Sequence, residues 1–186
     1  MKSTRAHLHD ETAPIHKQLD QLISTSSPFA DEEKYALYLT RMEQLYVLFS
    51  TPLDEIAQRI SLPVMSSHIK KSIEQDKATL PKIALSQTLP IQCWSLDESW
   101  GITYTLEGST MGARYLLRTA REQLPHRSHT FLEQVAQTGK ERWPRFCEAL
   151  ESSGCTREQA TRGAQAVFHT ALTLFESTHD TTEDVI

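Results

Sequence analysis

The sequence predicts an all-α, single-domain helical bundle. Apolar residues recur at spacings of three and four along most of the 186 residues. Glycine is scarce, six in all, and alternating β-branched runs are almost absent. A chain of this length suits one domain with a substantial core, expected over 1–180, with 181–186 as a frayed acidic tail. The net charge of −5 argues against nucleic acid or an anionic membrane surface as partner, because both need concentrated basic charge. Cys93, Cys147 and Cys155 form an odd set without metal-site spacing, which points to a reducing compartment without structural disulfides. The opening MKSTRAHLHDETAP lacks the apolar core of a signal peptide, and no apolar run reaches membrane-spanning length. A cytoplasmic protein without a membrane span is expected.

A first helix is expected from Thr4 to Ile23, followed by the turn STSSPF. A second begins at Asp31 as N-cap, carries acidic residues in its first turn and turns Tyr35, Tyr38 and Leu39 inward, running to about Phe49. Pro52 can open a continuation that Pro63 ends. A shorter helix is expected over 67–80, a loop over 81–90, and one long helical stretch over 91–123. Pro125 introduces the next segment, Trp143 and Phe146 mark another, and Thr156 caps the last helix.

On the first helix Leu8, Thr12, Ile15, Leu19, Leu22 and Ile23 share one face at 100° per residue. His16 sits at the edge of that face, with His9 two turns earlier on a similar side. Periodicity alone favours a half-buried helical histidine. Asp20 stands at i+4 from His16, where a carboxylate can accept from the ring nitrogen that a metal does not use. It can equally be a solvated residue pairing with Lys17. Pro14 disfavours helix at Ala13 and is expected to bend or restart the helix.

The stretch GITYTLEGSTMGARYLL is the most costly choice in the chain. Three interior glycines sacrifice about 3 kcal/mol relative to alanine, at about 1 kcal/mol each. Gly101, Thr105, Gly108 and Gly112 form one small-residue stripe bordered by Ser109. Such a face admits either a neighbouring helix at close range or a flat ligand against bare backbone, and it permits a kink. The spacing does not choose between them.

LHDETAPIHKQLD and GITYTLEGSTMGARYLL together resemble the proximal and distal helices of the heme oxygenase family, particularly the bacterial enzymes tied to phytochrome chromophore supply or iron acquisition. KKSIEQDKATL, over 70–80, is a weaker match to an element between them. The resemblance covers nearly the whole chain. It implies a heme-oxygenase-like bundle with heme sandwiched between the two helices, and oxidoreductase activity that opens heme to biliverdin, CO and Fe²⁺.

The resemblance implies that heme b serves as both substrate and cofactor, and that O₂ is consumed. His16 is then the metal ligand, Asp20 orients it, and Thr12 lies in the same helical pattern. Gly108 and Gly112 are the distal catalytic surface, with Gly101 near its end, and Tyr104 and Ser109 are candidates to bond water or a propionate. His9 stands where the family usually has arginine, and Ala113 replaces the second glycine of a Gly-Gly pair.

Trp94, Trp100, Trp143, Phe146, Phe168 and Phe175 are expected to fill the core or line the ligand's edge. His169 reads as a core or interface histidine, Glu107 as an ion-pair group, and Arg114, Arg118 and Arg121 as a solvated face. No phosphate loop, dinucleotide motif or zinc cluster is present in the sequence. Electrons are therefore expected from an external reductase or small redox carrier, and a phytochrome is a candidate receiver of biliverdin. A heme carrier or sensor on the same fold is the alternative, with Ala113 as the feature in its favour. A helical protein in which His16 and the glycines are purely structural is the third reading.

Overall fold

The computed structural model describes residues 2–176 together with 181 and 182. Among them are eight helices, and none is long and apolar enough to cross a membrane.

Ser3 starts α1 (Thr4–Ser26) by accepting a bond from the Ala6 N–H, and Ser27 ends it in the left-handed region at φ 48°. Pro14 lies inside this helix without interrupting it, contrary to the expected restart. Asp10 and Pro14 are both on the exposed side, so the carbonyl that loses its amide partner is open to water. Leu8 and Thr12 are buried, and Leu19, Leu22 and Ile23 pack against the main core.

Asp31 caps α2 (Glu32–Leu48) through the Lys34 N–H at 2.8 Å, and Tyr35, Tyr38 and Leu39 turn inward as their spacing requires. After Phe49 the chain continues as α3 (Ser50–Arg59), with Pro52 in its first turn, where a missing N–H costs nothing. The next helix is α4 (Ser66–Lys77). The segment expected as loop stays irregular except at Ile83–Ala84. That pair forms a two-residue antiparallel bridge with Thr181–Thr182. The rest of the expected tail, 183–186, lies outside the described residues.

The long helix expected over 91–123 is two. A capping box between Ser95 and Glu98 begins α5 (Leu96–Ser109), and α6 (Ala113–Gln123) follows a break at 110–112. At the break, amides reach back three residues instead of four: Thr110 to Glu107, Met111 to Gly108 and Gly112 to Ser109, at 3.1 to 3.2 Å. In contrast, the segments expected separately around Trp143 merge into one helix, α7 (Thr130–Ser152), which passes through Pro144. Asp76, 1% exposed, satisfies its first turn by accepting from Thr130 and Phe131 N–H at 2.9 Å each. The last helix, α8 (Arg157–Glu176), begins directly after Thr156, whose N–H and hydroxyl both donate to Asp97.

Helices α5 and α8 pack closely against each other. At Gly101 a methyl group would lie 2.6 Å from the Ala160 carbonyl carbon and 2.8 Å from the Ala164 nitrogen. At Gly163 it would lie 2.7 Å from the carbonyl carbon of Glu98. Each helix therefore presses backbone on backbone, which leaves α1 and α7 to flank the pair.

Candidate functional site

Helix α1 and helix α5 approach each other across a cleft of about 380 Å³. Arg5, Ala6, His9 and Asp10 line it from α1, Tyr104 from α5 and Trp143 from α7. Its volume lies within the usual range of small-molecule sites, roughly 300–1,000 Å³. The walls are aromatic and the rim is charged: Tyr104 and Trp143 lie 5.7 Å apart between ring centres, with Arg5, His9 and Asp10 opposite. Burial pushes the Tyr104 phenol and the neighbouring Cys147 thiol up from their ordinary pKa values, so both are neutral at physiological pH.

His16 is seven residues beyond His9, which returns it to nearly the same side of α1. It does not line the cleft itself. Its imidazole is 57% exposed and meets Phe168 of α8 edge-on, with centroids 5.5 Å apart at 72°. Nδ1 faces Asp20 Oδ2 at 3.6 Å, an ion-pair distance rather than a hydrogen bond. Nε2 has no hydrogen-bonding partner among the described residues. The aromatic edge limits the ring's rotation on one side and the carboxylate draws Nδ1 on the other, which leaves Nε2 as the open donor.

The break between α5 and α6 places Ser109, Met111 and Gly112 at the surface. A methyl group at Gly112 would touch only the carbonyl of its own turn, Ser109, at 3.6 Å. At Gly108 it would meet the Trp143 ring at 3.4 and 3.5 Å. The Ser109 hydroxyl donates to Leu106 O at 2.7 Å.

No family model matches the chain. A heme oxygenase of Xanthomonas campestris pv. campestris (strain 8004) is 29% identical over 152 residues, covering 76% of this chain and 90% of that protein. The NO- and CO-bound heme oxygenase of Neisseria meningitidis superposes with a TM-score of 0.73 over 100% of both chains, at 18% identity. The chain is thus similar in sequence to one bacterial heme oxygenase and shares the fold of another.

In this heme oxygenase fold the residues singled out from the sequence separate into two groups. Tyr104 lines the cleft, His16, Asp20, Ser109 and Gly112 are exposed, and Gly108 is half-buried beneath Trp143. The other two are buried. Gly101 is covered by the α8 backbone, so its missing side chain serves helix contact and borders no ligand surface. Thr12 is 3% exposed and its hydroxyl donates to Leu8 O at 2.7 Å, which makes it a core residue of α1. His169, expected in the core or at an interface, is exposed on the far side of α8 beside a separate small cleft under Trp94. Glu107 is an ion-pair group as expected, bound to Arg142.

The residues present fit heme on the observations above: an open imidazole nitrogen, an aromatic-walled cleft on the same helix, and a glycine with space above it. Three further side chains border these groups. Trp143 and Phe168, expected in the core or along a ligand's edge, form a cleft wall and meet the His16 ring, and Arg142 carried no sequence expectation. Gly139, Arg142 and Trp143 stand at i, i+3 and i+4, so a buried-side arginine beside a glycine was the available signal.

Proposed function

We propose that the chain is a heme oxygenase that takes heme between α1 and the α5–α6 break and opens it to biliverdin, CO and Fe²⁺. The observation that carries this reading is His16: an exposed imidazole whose Nδ1 faces Asp20 and whose ring meets Phe168, leaving Nε2 free so that it would hold a heme iron. Bound heme supplies the iron at which O₂ is reduced and the porphyrin carbon that is oxidised. The chain's own residues bind, orient and limit access. Arg5 and His9 offer positive or hydrogen-bonding groups to carboxylates at the cleft rim, and Tyr104 and Trp143 offer flat apolar contact. Gly112 presents backbone without a side chain, which leaves room for a small ligand and an ordered water. Gly108 contributes a narrower gap against Trp143.

Electrons come from a separate reductase or a small redox carrier, and a phytochrome-type apoprotein is a suitable receiver of the product. The carrier or sensor alternative leaned on Ala113. Ala113 is 3% exposed and packs in the main core cluster, so its methyl is turned away from the open side of Gly112 and gives that reading no support.

Hemin added to the purified protein should give a Soret band of a histidine-ligated heme, and reductant in air should convert it to biliverdin absorbance. His16→Ala should lose the ligand field and regain part of it with imidazole. An unchanged spectrum in His16→Ala, with loss in His9→Ala, would move the ligand to His9. A stable Soret band that never bleaches would leave a carrier. No Soret shift at all would remove heme from the function.

A further inference from the structure

One turn of α7 is built against the α5–α6 break, residue for residue. Gly139 receives Thr110: a methyl group at 139 would fall 2.5 Å from Thr110 Cβ, so no other residue fits without moving the break. Arg142, one turn on, reaches back to Glu107 with Nε 3.0 Å from Oε1 and 3.2 Å from Oε2. Its Nη1 donates to Pro63 O at 2.6 Å, which ties the guanidinium to the turn before α4. Trp143 lies over Gly108. Thr110 Oγ1 donates to Glu107 O at 2.6 Å, coupling the last α5 turn to the break. The side chains of Glu107 and Arg142 are 1% and 8% exposed, and neither lines the cleft.

A buried ion pair is a poor source of stability, because desolvating both charges offsets much of their attraction. What a planar guanidinium fork provides is geometry: two bonds fix both the distance and the angle of the carboxylate. Glu107 is the residue before Gly108 and the acceptor of the first shortened amide bond of the break. Its position therefore sets where the helical ladder changes from four-residue to three-residue bonding.

We propose that Glu107 and Arg142 are a positioning pair that fixes the α5–α6 break, and through it the seating of Gly108 under the cleft-lining Trp143 and of Gly112 beyond it. The claim about the break stands on geometry alone. Its consequence for a bound diatomic rests on the heme oxygenase reading.

The test is the double variant Glu107→Leu/Arg142→Met, with Arg142→Lys as the milder case that keeps the charge and loses the fork. Replacing both charges by apolar groups of similar size is expected to leave the melting temperature near wild type. In the heme-free full chain, amide hydrogen exchange over 108–113 should nonetheless rise by about tenfold or more, while exchange in α8 stays unchanged. Arg142→Lys should show a smaller rise. In the hemin-loaded, reduced protein under carbon monoxide, the C–O stretch should broaden or shift while hemin affinity stays within about threefold of wild type, since His16 is untouched. Wild-type exchange over 108–113 in both variants would overturn the proposal. So would a uniform rise across all helices, which marks general destabilisation. Raised local exchange with an unchanged C–O stretch would overturn the ligand consequence alone. If the wild type binds no hemin, the heme reading fails, and the exchange data still decide whether the pair holds the break.

Discussion

The three glycines of the distal region differ in what an added methyl would meet, and alanine substitution at each should reveal it. At Gly101 the added methyl meets the carbonyl of Ala160 and the amide of Ala164, backbone atoms that no rotamer change can move aside. Overpacking of this kind costs about 1–3 kcal/mol, and the helix-propensity gain returns only about 1 kcal/mol. Because the obstruction is backbone, the upper end applies and the net loss is about 2 kcal/mol. For a domain of this size each kcal/mol moves Tm by about 2–4 °C, so Gly101→Ala should melt about 4–8 °C lower. Gly112 has φ −78° and ψ −19°, angles that alanine adopts freely, and its methyl would find only its own turn at 3.6 Å. Gly112→Ala should therefore stiffen the unfolded chain without straining the folded one, gain up to about 1 kcal/mol and melt up to about 2–4 °C higher. Gly108→Ala presses at 3.4 Å on the Trp143 ring, a side chain that can yield, and should change Tm little. Thermal melts of the heme-free proteins followed by circular dichroism measure all three. Gly101→Ala within about 1 °C of wild type, or Gly112→Ala falling as far as Gly101→Ala, would refute the division of one stripe into a packing end and an open end.

Other substitutions probe the ligand side and the local supports. Gly112→Leu should fold normally yet lower hemin affinity, read as a weaker Soret titration, because its side chain fills the space above the break; an unaltered titration would place heme elsewhere. Ser95→Ala removes one half of the α5 capping box and should cost about 1 kcal/mol in urea unfolding, with no change in the Soret band of the hemin complex. The two bonds that Asp97 accepts from Thr156 hold its carboxyl below the usual carboxylate range. A depressed folded-state pKa contributes stability above the unfolded pKa, near 4, and loses it as pH falls through the folded value. Asp97→Ala should thus be less stable than wild type at pH 7, and the gap should narrow steadily on acidification below about pH 4. A gap that widens toward acid would show that the sign is wrong.

Local rules and recognisable patterns in the sequence determined a great deal. The inward side of α2, its Asp31 cap, the opening of α3 near Pro52 and the start of α8 after Thr156 all follow from spacing and capping chemistry that act within one or two turns. So did the pairing of His16 with Asp20, an i, i+4 relation that any continuous helix enforces. Tertiary contacts decided the rest. Helix α1 runs through Pro14 and α7 through Pro144, because docking of a long flank outweighs a single lost hydrogen bond at an exposed position. The stretch from Ile91 to Gln123 does the reverse: continuous by pattern, it breaks at 110–112, where Gly139 admits Thr110 and Arg142 grips Glu107. One stripe of glycines could not disclose its own division, since spacing reports which residues share a face and says nothing of what lies opposite. Only the neighbouring helix distinguishes Gly101, sealed against α8, from Gly112, left open. The contacts that tell them apart join Gly101 to Ala160 and Ala164, far along the chain and beyond the reach of any local period.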